Sequence, residues 1–258
     1  MKYETILYDL RNNVATITLN RPDVRNGLNI QCRHELLNAV NCAEAEARVI
    51  VLTGAGKGFC SGQDLSEIDD IHTVDLSAVL QDEYEPLLKT IYDCKLPTIA
   101  AVNGAAAGAG ANLALACDVV IAAHSAVFLQ AFTRIGLIPD AGGTYWLPRQ
   151  MGFSRAMGAA LFAEPITAQQ AADWGMIWET VADEDFPAHI SNRAIHLANG
   201  PTKAYSMVKT AMRNSFDNDV YQQLALEAEL QGIAGKSDDF IEGVTAFLEK
   251  RKPNYKGR

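Results

Sequence analysis

Apolar and polar residues alternate in two stretches near the start of the chain, Tyr3-Glu-Thr-Ile-Leu-Tyr-Asp-Leu10 and Val14-Ala-Thr-Ile-Thr-Leu19, separated by Arg11-Asn-Asn13. A period of two marks a strand with one covered face, so these predict an antiparallel pair joined by a tight turn. The period then lengthens to that of a helix over 30–47. Val49-Ile-Val-Leu-Thr53 follows, an unbroken β-branched run of the kind that forms a strand buried on both faces. A helix over 79–94, a strand over 98–102, a helix over 109–117 and a strand over 118–123 continue the alternation. Repeated β-then-α order predicts a largely parallel sheet with helical crossovers. From about Phe186 onward the pattern is helical throughout, with segments near 187–199, 202–213, 217–234 and 238–250. Gly200-Pro201 is the softest boundary, and it divides a core over 1–200 from a helical region over 201–258.

At 258 residues and 48% apolar, the chain is long enough to bury a full core. A net charge of −9 argues against nucleic acid as the main partner. No apolar run is long enough to span a membrane, and Met1-Lys-Tyr-Glu-Thr5 has no signal-peptide character. The five cysteines are widely spaced without a CxxC pair, which predicts a reduced, cytoplasmic protein and no zinc site.

Candidate chemistry gathers at two glycine-rich turns that follow the two apolar strands. The first is Thr53-Gly-Ala-Gly-Lys-Gly-Phe-Cys-Ser-Gly-Gln-Asp-Leu65 and the second Val102-Asn-Gly-Ala-Ala-Ala-Gly-Ala-Gly-Ala-Asn-Leu113. Neither is a nucleotide loop. The first lacks the Ser/Thr after lysine that a P-loop needs, and the second puts Leu113 where a dinucleotide fingerprint requires Gly or Ala. Gly58-Phe-Cys-Ser-Gly62 fits the cysteine form of a nucleophile elbow, but the downstream His189 and His196 both sit in an Ala-rich helical stretch with no catalytic neighbourhood. Glycine does admit a ligand close to the backbone, and N–H groups at a helix start are ready donors to an anion. Two such donors facing one point would make an oxyanion hole.

The order Gly-Phe-Cys-Ser-Gly-Gln-Asp-Leu65, Ala100-Ala-Val-Asn-Gly-Ala-Ala-Ala-Gly-Ala-Gly110, Ala116-Cys-Asp118 and Ile135-Gly-Leu-Ile-Pro-Asp-Ala-Gly-Gly-Thr144 resembles the crotonase superfamily of acyl-CoA enzymes, the enoyl-CoA hydratases and isomerases. The likeness runs from Leu19-Asn-Arg-Pro22 to Lys250-Arg-Lys-Pro253, and it is strongest to the branch of ring-1,2-epoxyphenylacetyl-CoA isomerases. It implies an α/β fold with a ββα spiral core and a C-terminal helical region, and a homo-oligomer built as a trimer or a dimer of trimers. It implies an acyl-CoA thioester substrate, with CoA as part of that substrate and no further cofactor or metal.

By position in the family motifs, the oxyanion donors are the backbone N–H groups of Gln63 and Ala109, and Asp140 stands where several family isomerases keep an aspartate. The two glutamates of the hydratases fall on Asn112 and Phe132, neither of which can exchange a proton usefully with water. Asp140 could instead cap a helix before Ala141-Gly-Gly-Thr144. Phe132, with Ile138, Pro139 and Trp146, suggests an acyl pocket that welcomes an aromatic ring, although plain core packing fits the same residues. Tyr84 reaches that pocket or packs along an amphipathic helix. The resemblance places CoA against Ser61, Asp64 and Leu65, with Arg25 near its phosphates and Lys250 reaching the CoA of an adjacent subunit. Surface charge and helix-end preference are the plainer readings of Arg25 and Lys250. The acidic stretch from Asp64 to Asp70 reads as a solvated helix start. The expected activity is an acyl-CoA isomerase. Its rivals are an aryl-CoA dehalogenase with Asp140 as nucleophile, an enoyl-CoA hydratase and, from another class, a non-catalytic acyl-CoA- or RNA-binding homologue.

Overall fold

Strand β1 (Ile6–Arg11) pairs antiparallel with β2 (Val14–Leu19), and Asn12 and Asn13 between them adopt φ of 52° and 61°. Two left-handed residues in a row give the turn whose twist suits a hairpin. The predicted alternation is realised in β2, where Ala15, Ile17 and Leu19 are buried while Val14, Thr16 and Thr18 are only partly covered, but not in β1, an edge strand that buries Ile6 alone. The structure is a computed structural model that describes residues 2–67 and 72–258. Among the described residues no helix is long and apolar enough to cross a membrane.

After the hairpin come α1 (Ile30–Glu46), capped by the Asn29 side chain, then β3 (Val49–Gly54) and β4 (Gly58–Cys60). The predicted helix over 79–94 is real but composite: α2 (Leu76–Val79), a π turn over Leu80–Tyr84, and α3 (Glu85–Asp93). Next follow β5 (Thr98–Val102), β6 (Ala105–Ala107), α4 (Ala109–Leu115), β7 (Val119–Ala123) and β8 (Val127–Leu129). The chain continues through α5 (Gly143–Met151), α6 (Phe153–Phe162), β9 (Ile166–Thr167), α7 (Ala168–Asp173) and β10 (Glu179–Val181). It closes with α8 (Phe186–Ala198), α9 (Thr202–Asn214), α10 (Val220–Ala234) and α11 (Asp238–Leu248).

The strands form two sheets. The larger has the order β1-β2-β3-β5-β7-β10, and every pair in it after the hairpin is parallel. The smaller has the order β4-β6-β8-β9 and is parallel except for its last pair. Successive turns of the chain therefore place one strand in each sheet and then a helix, which is the ββα spiral. The second sheet escapes a reading of periodicity because its strands are two or three residues long.

Both faces of β3, β5 and β7 are covered, which explains their continuous apolar runs. Ile50, Leu52, Ala100, Val102, Val120 and Ala122 belong to the cluster between the sheets. Val49, Val51, Ile99, Ala101 and Ile121 pack outward against Phe186, Ile190 and Ala194 of α8. Asp118, just before β7, fastens α9 to this core by accepting Lys209 Nζ at 2.8 Å and Arg213 Nη2 at 2.7 Å. Helices α9 and α10 contain no buried residue, and Met212, Leu224 and Phe247 present apolar side chains to solvent.

The contact that positions the two glycine turns is between β4 and the first turn of α4. A Cβ added to Gly110 would lie 2.5 Å from the Cys60 carbonyl oxygen and 2.6 Å from its Sγ. Overpacking of that kind costs about 1–3 kcal/mol, so Gly110→Ala should lower the thermal midpoint by several degrees. An unchanged midpoint would show that β4 and α4 can separate freely.

Candidate active site

Gly62 brings the two turns to one place. Its φ is +92°, and a Cβ there would meet the Ala107 carbonyl at 2.8 Å and the Ala109 nitrogen at 3.3 Å. The next residue, Gln63, is bridged to Leu28: Leu28 N–H donates to the Gly62 carbonyl (2.8 Å) and Asp64 N–H to the Leu28 carbonyl (3.2 Å). In a parallel bridge of this form the flanking peptides make both bonds, so the N–H of Gln63 itself points away from Leu28. Ala109 is the first residue of α4, where an N–H has no partner within the helix. Gln63 and Ala109 both line one cavity of about 430 Å³. Two main-chain donors in one apolar cavity can hold a carbonyl oxygen and favour negative charge on it.

The Gln63 side chain is pinned from behind. Its Oε1 accepts the Tyr84 hydroxyl at 2.6 Å and Arg33 Nη1 at 3.3 Å. Arg33 is 1% exposed, donates through Nε to Glu83 at 2.8 Å, and lies 4.9 Å from the centre of the Tyr84 ring. Burial pushes the Tyr84 phenol above its usual range, so it stays a neutral donor. Both the π turn and α1 thus converge on the Gln63 side chain.

Across the cavity stands Asp140. Burial pushes its carboxyl up to about 6, partly offset by its own backbone N–H. Its Oδ1 is buried and has no hydrogen-bond partner among the described residues. It is also the one acidic residue among the described residues that line the cavity, whose other walls include Leu80, Phe132, Leu137 and Ile138. Asp140 does not cap a helix through its side chain, because α5 starts at Gly143 after Gly142 with no side-chain cap.

The chain matches the Enoyl-CoA hydratase/isomerase family over residues 9–258. It belongs to that family, the crotonase superfamily of acyl-CoA enzymes. It is 60% identical over all 258 residues, and over the full length of the other chain, to a Rhodobacter capsulatus protein named "Probable enoyl-CoA hydratase". It is 44% identical to the 1,2-epoxyphenylacetyl-CoA isomerase of Escherichia coli K12, over 99% of each chain. The crystal structure of an enoyl-CoA hydratase from Bacillus anthracis superposes with a TM-score of 0.92 at 33% identity, covering 99% of this chain and all of that one.

Of the residues singled out in the sequence, the crotonase fold gathers Ser61, Gln63, Leu65, Tyr84, Ala109, Phe132 and Asp140 around the cavity. Arg25 and Asp64 do not line it but neighbour Ser61, which does: Ser61 N–H donates to the Arg25 carbonyl at 3.0 Å, and Gly27 packs beside Ser61 Oγ and Asp64 Cβ. Three expectations need correction. Asn112 is not a wall of the acyl pocket; it is fully buried behind the Asp140 turn, donating Nδ2 to the Asp140 carbonyl at 2.7 Å. The acidic stretch is not solvated at its start. Asp64 is 9% exposed and paired with Arg21 at 2.7 Å, its carboxyl held low first by the Ser66 hydroxyl, while Glu67 accepts the Ile30 N–H. Its end, Asp69 and Asp70, lies outside the described residues. Pro139 and Trp146 stand behind the cavity, Trp146 packing on Tyr92 and Tyr145. Lys250 follows α11, away from the cavity lining.

Cys60 is no nucleophile. It is fully buried, its thiol is pushed up to about 12 by burial, and it accepts the Gly62 N–H at 3.5 Å. His189 is engaged elsewhere, 2.8 Å from Glu179.

The raised Asp140 carboxyl carries a pH signature. It binds its proton more tightly folded than unfolded, so ionising it costs stability as pH rises from its free value of about 3.9 toward 6. Asparagine escapes that cost. Asp140→Asn should therefore gain in thermal midpoint over the parent at pH 8, with the gain shrinking between pH 6 and pH 4. A difference that ignores pH would contradict the burial of this charge.

Proposed function

We propose that this crotonase is an acyl-CoA isomerase in which Asp140 moves a proton along the acyl group while the N–H groups of Gln63 and Ala109 hold the thioester oxygen. Asp140 takes a proton from carbon next to the thioester, and the electron pair moves onto the carbonyl oxygen as an enolate. The two N–H dipoles stabilise that charge, which is larger in the transition state than in the substrate. The proton then returns at another carbon and the double bond shifts. A carboxyl near pH 6 suits both directions of transfer.

The single observation that carries the reading is the lone carboxylate. Hydration needs groups that act as base and acid on one water, and Asp140 has no acidic companion among the described residues of the cavity. Phe132 is a wall, and Asn112 spends its amide on the Asp140 backbone. The likeness to the Escherichia coli 1,2-epoxyphenylacetyl-CoA isomerase supports a ring epoxide as substrate, and the apolar walls equally suit a 3-enoyl to 2-enoyl shift. The second reading, nucleophilic attack by Asp140 on an aryl-CoA ring, draws on the same unpartnered carboxylate.

Arg25, Ser61, Asp64 and Leu65 hold the CoA end at the cavity mouth. The apolar faces of α9 to α11 suit a trimer or dimer of trimers, in which Lys250 reaches a neighbour's CoA. The chain works in the cytoplasm, and no metal or redox cofactor enters the reaction.

The test is a panel of CoA esters (epoxyphenylacetyl, 3-enoyl, 2-enoyl and 4-chlorobenzoyl) with products read by mass spectrometry. From the first or second, a new peak of unchanged mass is expected, resolved from the unreacted ester by liquid chromatography ahead of the mass spectrometer. Asp140→Asn should lose about a hundredfold to ten-thousandfold in kcat, the worth of a general base, with acyl-CoA binding nearly unchanged. In the parent, kcat/KM should fall as pH drops through about 6, because the ionised carboxyl is the working form. Efficient conversion of crotonyl-CoA to 3-hydroxybutyryl-CoA would defeat the proposal.

A further inference from the structure

We infer that Asn112 and Gln130 form a buried amide relay whose task is to aim Asp140 into the cavity, which makes both of them positioning residues for the reaction. The inference rests on the proposal that Asp140 moves the proton. Its starting point is that no hydrogen bond from another described residue reaches Asp140 Oδ1, which is buried without a partner among the described residues. Its direction must then come from the backbone that carries it.

That backbone is held in an unfavourable shape. Ala141 has φ 47° and Gly142 φ 80°, so the turn after Asp140 passes through two left-handed residues, the first of them with a Cβ. One bond within the turn and one from outside it, from Asn112, keep it there. The Asp140 carbonyl accepts Gly143 N–H at 2.8 Å and Asn112 Nδ2 at 2.7 Å. Asn112 reaches it because position 143 is glycine: a Cβ there would lie 2.5 Å from Asn112 Nδ2.

The Asn112 amide is itself oriented. Gln130 Nε2 donates to Asn112 Oδ1 at 2.9 Å, which leaves the Asn112 nitrogen facing the Asp140 carbonyl. Asn112 and Gln130 are 0% and 1% exposed, and Gln130 Oε1 has no hydrogen-bond partner among the described residues. Every other residue of α4 is buried and apolar or glycine, so an apolar side chain at 112 would spare the cost of burying an amide. Two buried amides, one of them incompletely satisfied, are explained by what they hold.

The test compares Asn112→Leu and Gln130→Met with the parent, using whichever ester of the panel the parent isomerises fastest. A misplaced reacting group can cost about a hundredfold, so Asn112→Leu should lose about tenfold to a hundredfold in kcat with KM little changed. The acid limb of kcat/KM should also move below its parent position near 6, because a released carboxylate turns toward water. Gln130→Met, which does not touch Asp140, should move both quantities the same way by less, and it decides the matter if Asn112→Leu does not fold. A lowered thermal midpoint with kcat and the acid limb unchanged would reduce the pair to core packing and overturn the relay. Asp140→Asn serves as the control. If it is inactive while both relay variants keep the parent kcat and limb, only the relay fails; if it stays active, the role of Asp140 as base fails and the relay with it.

Discussion

Strand β4 and the first turn of α4 meet with no room for a side chain between them, and the active site is assembled on that contact. The glycine at 110 lets the helix start sit on the Cys60 carbonyl, and Gly62 brings the peptide before Gln63 within reach of the Ala109 nitrogen. A shift of either backbone would separate the peptides of Gln63 and Ala109, which both line the cavity. Supports from three directions resist such a shift. The Leu28 bridge fixes one side of the Gln63 peptide, and the Arg33–Glu83–Tyr84 cluster fixes its side chain. The alternating sheets fix β4 and β6.

A second constraint is energetic. An unpaired carboxylate in an apolar cavity is unstable relative to water, and the Asp140 carboxyl responds by holding its proton to higher pH. The same burial that weakens the fold near neutrality suits the group to the proton transfer proposed for it, so stability and that proposed reactivity are set against each other at one residue. The turn that follows Asp140 repeats the pattern on the backbone, with a left-handed alanine next to a carbonyl held by Asn112 of α4, whose amide is in turn oriented by the residue after β8. Strain and desolvation at this turn are paid out of a core whose strands are covered on both faces.

Much of this was legible in the chain. The hairpin, the three buried strands, the helix after the second turn and the helical end all appear as apolar periods, because long elements repeat their pattern often enough to be seen. The backbone positions proposed as donors, Gln63 and Ala109, were reached through motif order, since backbone groups leave no mark on side-chain identity. Strands β4, β6, β8 and β9 were invisible because two or three residues cannot display a period. The role of Asn112 was misread for another reason. Its place in the motif pointed to the pocket, but what it does depends on Gln130 and Gly143, 18 and 31 positions away in the sequence. Asp64 was taken for a solvated charge because its partner, Arg21, belongs to a different loop.

The central claim is that Asp140 moves a proton, neither activating water nor attacking the acyl group. One turnover in H₂¹⁸O, with product and the Asp140 peptide both read by mass spectrometry, tests it most directly. A proton carrier leaves ¹⁸O in neither. Label in the product would mean that water adds to the substrate, and label in the Asp140 carboxylate would mean an aspartyl ester opened by water; either result would contradict the account.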